Sequence, residues 1–315
     1  MSLLEVRDLN IFFKTTESPV PVVSGLDLRI AESEIFGLVG ESGCGKSITA
    51  LSVMGILPPN ASAEGGIFFK GKDLLKLDRE SMRRLRGKEI SMIFQEPMTS
   101  LNPVFTTGYQ VAEVLVTHLH ISKKEAMERA VELLRAVRIS SPEVRVKEYP
   151  HQMSGGMRQR VMIAMAVACN PSLLIADEPT TALDVTIQAQ ILELIQGLRE
   201  ELGMSIMFIT HDLAIIAENA SRVGIMYAGR LMETAAAAEI FSSPSHPYTI
   251  GLLESLPGKR GEPLNPIPGF VPRPEELGKG CRFSGRCRYA LDECESTEPA
   301  LVEISKGHFV RCMRT

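Results

Sequence analysis

Long apolar runs, an excess of basic charge and closely paired cysteines are all missing from this sequence of 315 residues. The longest apolar stretch, VMIAMAVACNPSLLIA, is broken by Asn170-Pro171, so no segment is predicted to span a membrane. The net charge of −4 and pI of about 6.0 give no general attraction to nucleic acid or anionic lipid. No basic and apolar N-terminal pattern indicates a secretory signal, so we expect a cytosolic protein.

Cysteine is scarce until the end of the chain, where four of the six cysteines fall within the last 35 residues. A cytosolic location disfavours disulfides, so the cluster favours a metal site. Zinc sites often use a C-x2-C turn, which is absent here. The spacings C-x5-C, C-x6-C and C-x17-C suit the separate corners of a four-iron cluster better. Zinc and four unliganded thiols remain alternatives.

Strand-like and helix-like segments alternate along the rest of the chain. Residues 1–30 alternate apolar and polar positions, which predicts antiparallel strands, whereas residues 79–146 have the apolar spacing of a helical insertion. The compact apolar segments EIFGLVG, LLIAD and SIMFIT predict buried strands, and RVGIMYAGRLME is also strand-like. This alternation predicts an α/β fold with a largely parallel sheet. A Pro- and Gly-rich stretch at 257–274 indicates a linker before the cysteine-rich tail.

The segment GESGCGKS follows a predicted strand, precedes a predicted helix and fits G-x-x-x-x-G-K-[S/T]. Its glycines let backbone N–H groups turn toward a phosphate, and the helix N-terminus adds positive potential. A lysine here reaches the β- and γ-phosphates, and a serine hydroxyl binds magnesium. The candidate nucleotide-binding residues are Gly40, Ser42, Gly43, Gly45, Lys46 and Ser47.

Two acidic residues follow the apolar strand of LLIADEP. Asp177 is the candidate magnesium ligand, and Glu178 is placed to polarise an attacking water as general base. Upstream of them, MSGGM puts Ser154, Gly155 and Gly156 before a helix-like run, which predicts a second anion cradle. One nucleotide does not need two cradles, so we expect this one to close on the nucleotide of a partner subunit.

In their order, these motifs resemble those of the ATP-binding cassette family over about residues 1–235. The resemblance implies that Gln95 in FQEP is the Q-loop residue, which contacts magnesium and the γ-phosphate and reports to a membrane partner. It also implies that Asp184 in TALD lies at a subunit interface, that His211 in THD is the switch histidine, and that Phe13 stacks on adenine. The segment MSGGM is similar to the family signature usually written LSGGQ, with Met157 where the family often has glutamine.

Three further stretches resemble the dipeptide and oligopeptide permease ATPases: FQEPMTSLNPVFTTGYQ, IFSSPSHPYTIGLLESLP and the cysteine-rich tail. The resemblance implies a RecA-like mixed sheet, an antiparallel β subdomain, a helical insertion and a small metal-binding extension. The implied divisions are a cassette (1–235), a His-Pro-Tyr segment with linker (236–274) and the extension (275–315). Spacing and resemblance together favour a 4Fe–4S cluster, with zinc second, on Cys281, Cys287, Cys294 and Cys312. The tail is small and rich in Pro, Gly and charge, so we expect the metal to organise it.

The implied function is ATP- and magnesium-dependent peptide import, at the cytoplasmic side of a prokaryotic inner membrane. The implied partners are two permease subunits, a second ATPase that is a paralogue or a copy, and, indirectly, an extracytoplasmic peptide-binding protein. No nucleic acid partner is expected. The alternatives are an importer of nickel or another small solute, an iron–sulfur assembly ATPase, and a soluble cassette ATPase acting on RNA or DNA.

Overall fold

The computed structural model describes residues 2–16, 18–95, 100–181, 183–256 and 266–315. Parts of three predicted features lie outside the described residues: the Q-loop segment at 96–99, Ala182 of TALD, and the linker at 257–265. The chain forms two compact units. One unit comprises Met1–Lys76 with Phe208–Thr315, and the other comprises Leu77–Met207.

The described strands are β1 (Ser2–Phe13), β2 (Val20–Ala31), β3 (Ile35–Val39), β4 (Ala61–Phe69), β5 (Lys72–Asp73), β6 (Ile90–Ile93), β7 (Leu173–Asp177), β8 (Ser205–Thr210), β9 (Arg222–Tyr227), β10 (Arg230–Ala236), β11 (Val302–Ser305) and β12 (His308–Val310). The described α-helices are α1 (Lys46–Val53), α2 (Arg79–Leu85), α3 (Thr107–Leu119), α4 (Lys123–Ala136), α5 (Pro142–Arg145), α6 (Gly155–Val167), α7 (Val185–Leu202), α8 (Leu213–Asn219), α9 (Ala237–Ser242), α10 (Pro247–Glu254) and α11 (Glu293–Ser296).

The N-terminal strands of the first unit form an antiparallel sheet in the order β2-β1-β4-β5. The apolar residues that predicted β1 are buried, and Leu4, Val6, Leu9 and Ile11 are almost fully so. The predicted antiparallel strands of residues 1–30 are therefore confirmed.

A second sheet of the first unit runs β11-β12-β10-β9-β3. Strands β3 and β9 are parallel, whereas β9 with β10 and β10 with β12 are antiparallel. The sheet is therefore mixed, as the family resemblance implied, and not largely parallel, as the alternation of strands and helices alone predicted. The segment RVGIMYAGRLME forms a hairpin and not one strand. Its turn lies at Ala228 and Gly229, which have φ angles of 43° and 80°.

In the second unit, β6 and β7 form a parallel pair, with Ile90 opposite Leu173 and Ile93 opposite Ala176. Strand β6 lies inside the stretch for which the sequence predicted only helices. Its four residues are all buried, and a short apolar run of this kind does not carry helical periodicity. Helices α2 to α5 account for much of the rest of that stretch.

The tail is attached to the cassette by backbone pairing. Strand β12 pairs with β10, where Glu233 lies opposite Val310, and the fully buried Glu233 carboxylate accepts a 2.7 Å hydrogen bond from His308 Nε2. The strand pairing and this buried pair therefore hold the end of the tail in place. The sequence had led us to expect that a metal would organise it. In the part of the chain described, no helix is long and apolar enough to cross a membrane.

Candidate functional site

The predicted phosphate loop lies in the first unit, between β3 and α1. Gly40 has no space for a side chain, since a Cβ there would lie 2.0 Å from the carbonyl oxygen of Met226. Gly43 and Gly45 have φ angles of 78° and 107°, a left-handed backbone that favours glycine. The three glycines are therefore required by close packing at one position and by backbone conformation at the other two. Ser42, which lies between them, is exposed.

Lys46 begins α1 and turns back into the loop. Its buried Nζ donates hydrogen bonds to the carbonyl oxygens of Gly40 at 2.7 Å and Glu41 at 3.0 Å. Cys44 is completely buried beside it, and burial raises the pKa of the Cys44 thiol despite the nearby ammonium. Cys44 thus fills space inside the loop, while Lys46 holds the loop's first turn through the Gly40 and Glu41 carbonyl oxygens.

Two residues from beyond the cassette also contact the loop. Tyr248 of the His-Pro-Tyr segment accepts a 3.0 Å hydrogen bond at its hydroxyl from the Glu41 backbone N–H. Arg286 of the tail donates from Nη1 to both carboxylate oxygens of Glu41, at 3.0 and 3.1 Å. The sequence predicted no contact of either residue with the loop, because they lie 207 and 245 positions from Glu41. The His-Pro-Tyr resemblance was the only signal for Tyr248.

Burial controls ionisation around these contacts. Desolvation of the buried His246 lowers the pKa of its imidazole to about 4, and its Nδ1 accepts a 3.0 Å hydrogen bond from Tyr248 N at the start of α10. Burial also raises the pKa of the Tyr248 and Tyr227 phenols. Burial acts to lower the pKa of Arg286, but hydrogen bonds to Tyr227 and Glu41 outweigh it and the net shift is upward. Neutral phenols and a charged Arg286 therefore face the loop.

The first unit also carries Phe13 and His211. Phe13 is partly exposed at the end of β1, opposite Val20 and Ala61, and His211 is exposed just before α8. Asp212 caps that helix by accepting hydrogen bonds from the backbone N–H groups of residues 214 and 215. The predicted adenine and switch-histidine roles stay predictions.

The acidic pair lies in the second unit at the end of β7. Asp177 is 4% exposed, and Glu178 has a φ of 45°, a left-handed conformation that is uncommon for glutamate. Oε2 of Glu178 accepts a 2.9 Å hydrogen bond from Gln95 Nε2 and another of 2.9 Å from Thr181 Oγ1. The structure thus brings the predicted Q-loop glutamine and the predicted general base into direct contact.

Ser154 caps α6, and its Oγ accepts a hydrogen bond of 3.3 Å from the backbone N–H of Met157. Gly155 and Gly156 form the first turn of that helix, and a Cβ on Gly156 would lie 2.9 Å from the side chain of Ile187. Asp184 caps the neighbouring helix α7 by accepting from Ile187 N at 3.0 Å. The predicted second cradle is therefore a real helix N-terminus, packed beside the start of α7.

The tail cysteines lie close together but do not form a metal-ligand set. Cys281 N donates a 2.8 Å hydrogen bond to Cys294 O, and burial, with smaller contributions from Cys294 and Cys312, raises the pKa of Cys281 to about 11. Burial mainly raises the pKa of Cys287 as well. No group of three or more His, Cys, Asp or Glu side chains among the described residues could hold a metal ion. The expected 4Fe–4S or zinc site is therefore not supported by this geometry.

Two family descriptions match the chain. Residues 23–181 match the family described as ABC transporter, and residues 232–294 match the family described as oligopeptide/dipeptide transporter, C-terminal region. The second match covers both Tyr248 and Arg286.

Known proteins resemble the chain over nearly its whole length. It is 52% identical to the oligopeptide transport ATP-binding protein AppD of Bacillus subtilis, over 99% of this chain and 96% of AppD. It is 48% identical to the dipeptide transport ATP-binding protein DppD of Haemophilus influenzae, over 99% and 95%. A dimeric ATP-binding cassette solved in a post-hydrolysis state with ADP and Pi is 27% identical, with a TM-score of 0.67 over 74% of this chain and 98% of that one. This chain belongs to the ABC transporter family of ATP-binding proteins.

Proposed function

We propose that the chain is the ATP-hydrolysing subunit of a peptide importer. The observation that carries this proposal is the similarity to AppD and DppD, which covers the cassette and the C-terminal region alike. A cassette alone serves many functions, so the shared C-terminal region is what favours a peptide over another solute. The peptide itself is expected to contact the membrane partners and not this subunit.

Each of the two compact units contributes residues with a proposed role toward ATP. In the first unit, the loop from Gly40 to Ser47 binds the phosphates of ATP, and Phe13 stacks on the adenine. In the second unit, Asp177 holds magnesium and Glu178 polarises the attacking water. The donor atoms suit magnesium, because hydroxyl, carboxylate and amide oxygens are its preferred ligands. They come from Ser47, Asp177 and Gln95.

A dimer completes the proposed mechanism. Ser154 and Gly156 start a helix whose N-terminus favours an anion, and Asp184 caps the helix beside it. We infer that these residues close on the nucleotide of a second ATPase subunit, a copy or a paralogue. Closure would drive two permease subunits, placing the chain peripherally at the cytoplasmic side of the membrane.

A 4Fe–4S cluster on the tail cysteines is a separate hypothesis that rests on their spacing in the sequence, since the described side chains do not form a metal-ligand set. Metal analysis decides it. Protein purified without oxygen should contain about four irons per chain and absorb broadly near 400 nm. One zinc per chain, or no metal, would contradict this hypothesis. A Cys287→Ser variant with full iron content would remove that cysteine from the ligand set.

Solute uptake by cells tests the function. A strain lacking this chain should lose uptake of a radiolabelled dipeptide or tripeptide and regain it when the wild-type chain is expressed. The Lys46→Ala variant should not restore uptake, because the loop then lacks its phosphate-binding charge. Loss of radioactive nickel uptake with peptide uptake intact would favour the small-solute importer instead.

A further inference from the structure

We propose that Arg286 and Tyr248 are positioning residues for the phosphate loop, so that the region beyond residue 235 sets how tightly the cassette binds nucleotide. The inference rests on the proposed function to the extent that the loop binds ATP. It gives the tail segment 281–287 a role in holding the phosphate loop, and this role does not depend on a bound metal.

Glu41, the second residue of the loop, is held at three points. Its N–H donates to Tyr248 Oη, its carbonyl oxygen accepts from Lys46 Nζ, and its carboxylate pairs with Arg286. Two of these three groups, the N–H and the carboxylate, are bound by residues beyond position 235. The position of the peptide unit at the start of the loop therefore depends on that region, and the direction of the loop's N–H groups depends on that peptide unit.

Arg286 is itself held rigidly. Its Nε donates to Pro268 O at 2.8 Å and its Nη2 to Gly269 O at 3.3 Å, while Nη1 reaches Tyr227 Oη at 3.3 Å as well as Glu41. The side chain is only 9% exposed. The guanidinium group of Arg286 has a fixed orientation, because its planar group cannot rotate without breaking several of these hydrogen bonds.

Packing supports the same contact. Phe283 is 3% exposed and lies with its ring centroid 5.2 Å from that of Tyr227 and 5.3 Å from that of Tyr248. The two tyrosines are themselves 4.7 Å apart in an edge-on arrangement. This aromatic cluster joins the tail, the end of β9 and the start of α10, and it fixes the Tyr248 hydroxyl that binds Glu41.

A second path reaches the middle of the loop, at Cys44. Arg282 donates to the carbonyl oxygen of Ala228 and, at 2.9 Å, to Ser24 Oγ. The next residue in that turn, Gly229, donates its N–H to Cys44 O at 2.9 Å. The extension thus braces the loop directly at Glu41 and, through the β9–β10 turn, at Cys44.

The test is nucleotide affinity of the purified full-length chain, measured with a fluorescent ATP analogue. Arg286→Gln should weaken binding about tenfold, the effect expected when a charge-assisted contact that orders the loop is lost. Tyr248→Phe keeps the aromatic packing, removes only the hydroxyl, and should weaken binding several-fold. Arg288→Gln is the matched control, because Arg288 lies two residues from Arg286 but forms an exposed ion pair with Glu254 instead of contacting the loop. It should bind like wild type.

A double-mutant cycle separates positioning from general stability. In the Glu41→Gln background, Arg286→Gln should cost clearly less affinity than it does in wild type, because its charged partner is already gone. Wild-type affinity in both Arg286→Gln and Tyr248→Phe would overturn the inference while leaving the proposed function intact. If the wild-type chain itself fails to bind the analogue, the proposed function fails first. If Arg286→Gln does not fold, the comparison of nucleotide affinity between Tyr248→Phe and the control Arg288→Gln tests the inference.

Discussion

The amide Nε2 of Gln95 donates a 2.9 Å hydrogen bond to carboxylate Oε2 of Glu178. The two residues are 83 positions apart, and the contact joins the segment after β6 to the residue after β7, two parallel neighbours. Because the carboxyl ends of parallel strands meet at one edge of a sheet, this contact follows from the pairing of the strands. It links the proposed sensor of the membrane partner to the proposed general base.

Removal of Gln95 should therefore reduce catalysis more than binding. Gln95→Ala removes a hydrogen bond to a charged group, worth about 1.5–3 kcal/mol, so we expect kcat for ATP to fall by about ten- to hundredfold. The Kd for ATP should change by much less. Steady-state ATPase kinetics of the assembled transporter, together with nucleotide binding, measure both quantities. An unchanged kcat would show that the contact does not orient the base.

Replacement of Glu178 by glutamine should have a larger effect. Glu178→Gln keeps the size and a hydrogen-bonding group but removes the base, so the hydrolysis rate should drop by about 10²-fold or more. ATP binding should remain, and ATP-bound dimers should accumulate in size-exclusion chromatography. Near wild-type activity of this variant would contradict the assignment of the base.

Gly40 offers a steric test of the phosphate loop. In Gly40→Ala the new Cβ would lie 2.0 Å from Met226 O, so the loop must move, and we expect ATP binding to be lost at a stability cost of about 1–3 kcal/mol. Gly197→Ala is the matched control: it lies within α7, no atom is within 4 Å of its Cβ, and it should raise stability by about 0.5–1 kcal/mol. Normal ATP binding by Gly40→Ala would contradict the described loop geometry.

Acid should destabilise the fold through His246. The pKa of its imidazole is about 4 in the folded chain against an ordinary value of 6.5, so between these pH values the unfolded chain binds a proton that the folded chain refuses. Stability from this group is complete above pH 6.5 and is lost as pH falls toward 4, by at most about 3 kcal/mol. His246→Asn retains a capping side chain and should reduce the pH dependence of urea unfolding in that window. An identical pH profile for the variant would argue against a buried neutral imidazole.

Patterns within a few consecutive residues were enough to predict several elements of the fold. The apolar residues of β1, the glycine loop before α1 and the acidic end of β7 were each visible in this way. Strand β6 was not, because four buried residues carry no distinguishing period.

Long-range contacts could not be read from the sequence. Tyr248 and Arg286 contact Glu41 only because β9, β10 and the tail fold back onto the loop, and neither residue has a spacing that indicates this. The cysteine spacing predicted a metal-ligand set, but proximity of four cysteines does not fix the directions of their side chains. The described geometry accordingly places them near one another without forming such a set.

ATP-driven peptide uptake by the purified complex tests the central claim most directly. The chain would be reconstituted in proteoliposomes with the permease subunits, the second ATPase and the peptide-binding protein encoded with it, with ATP and magnesium supplied on the side that carries the ATPases. With wild-type chain and ATP, we predict that labelled peptide accumulates on the side of the membrane that carries the ATPases. With Glu178→Gln, or without ATP, it should not accumulate there. The proposed function would be contradicted if the complex hydrolysed ATP but accumulated none of the peptides that the binding protein binds.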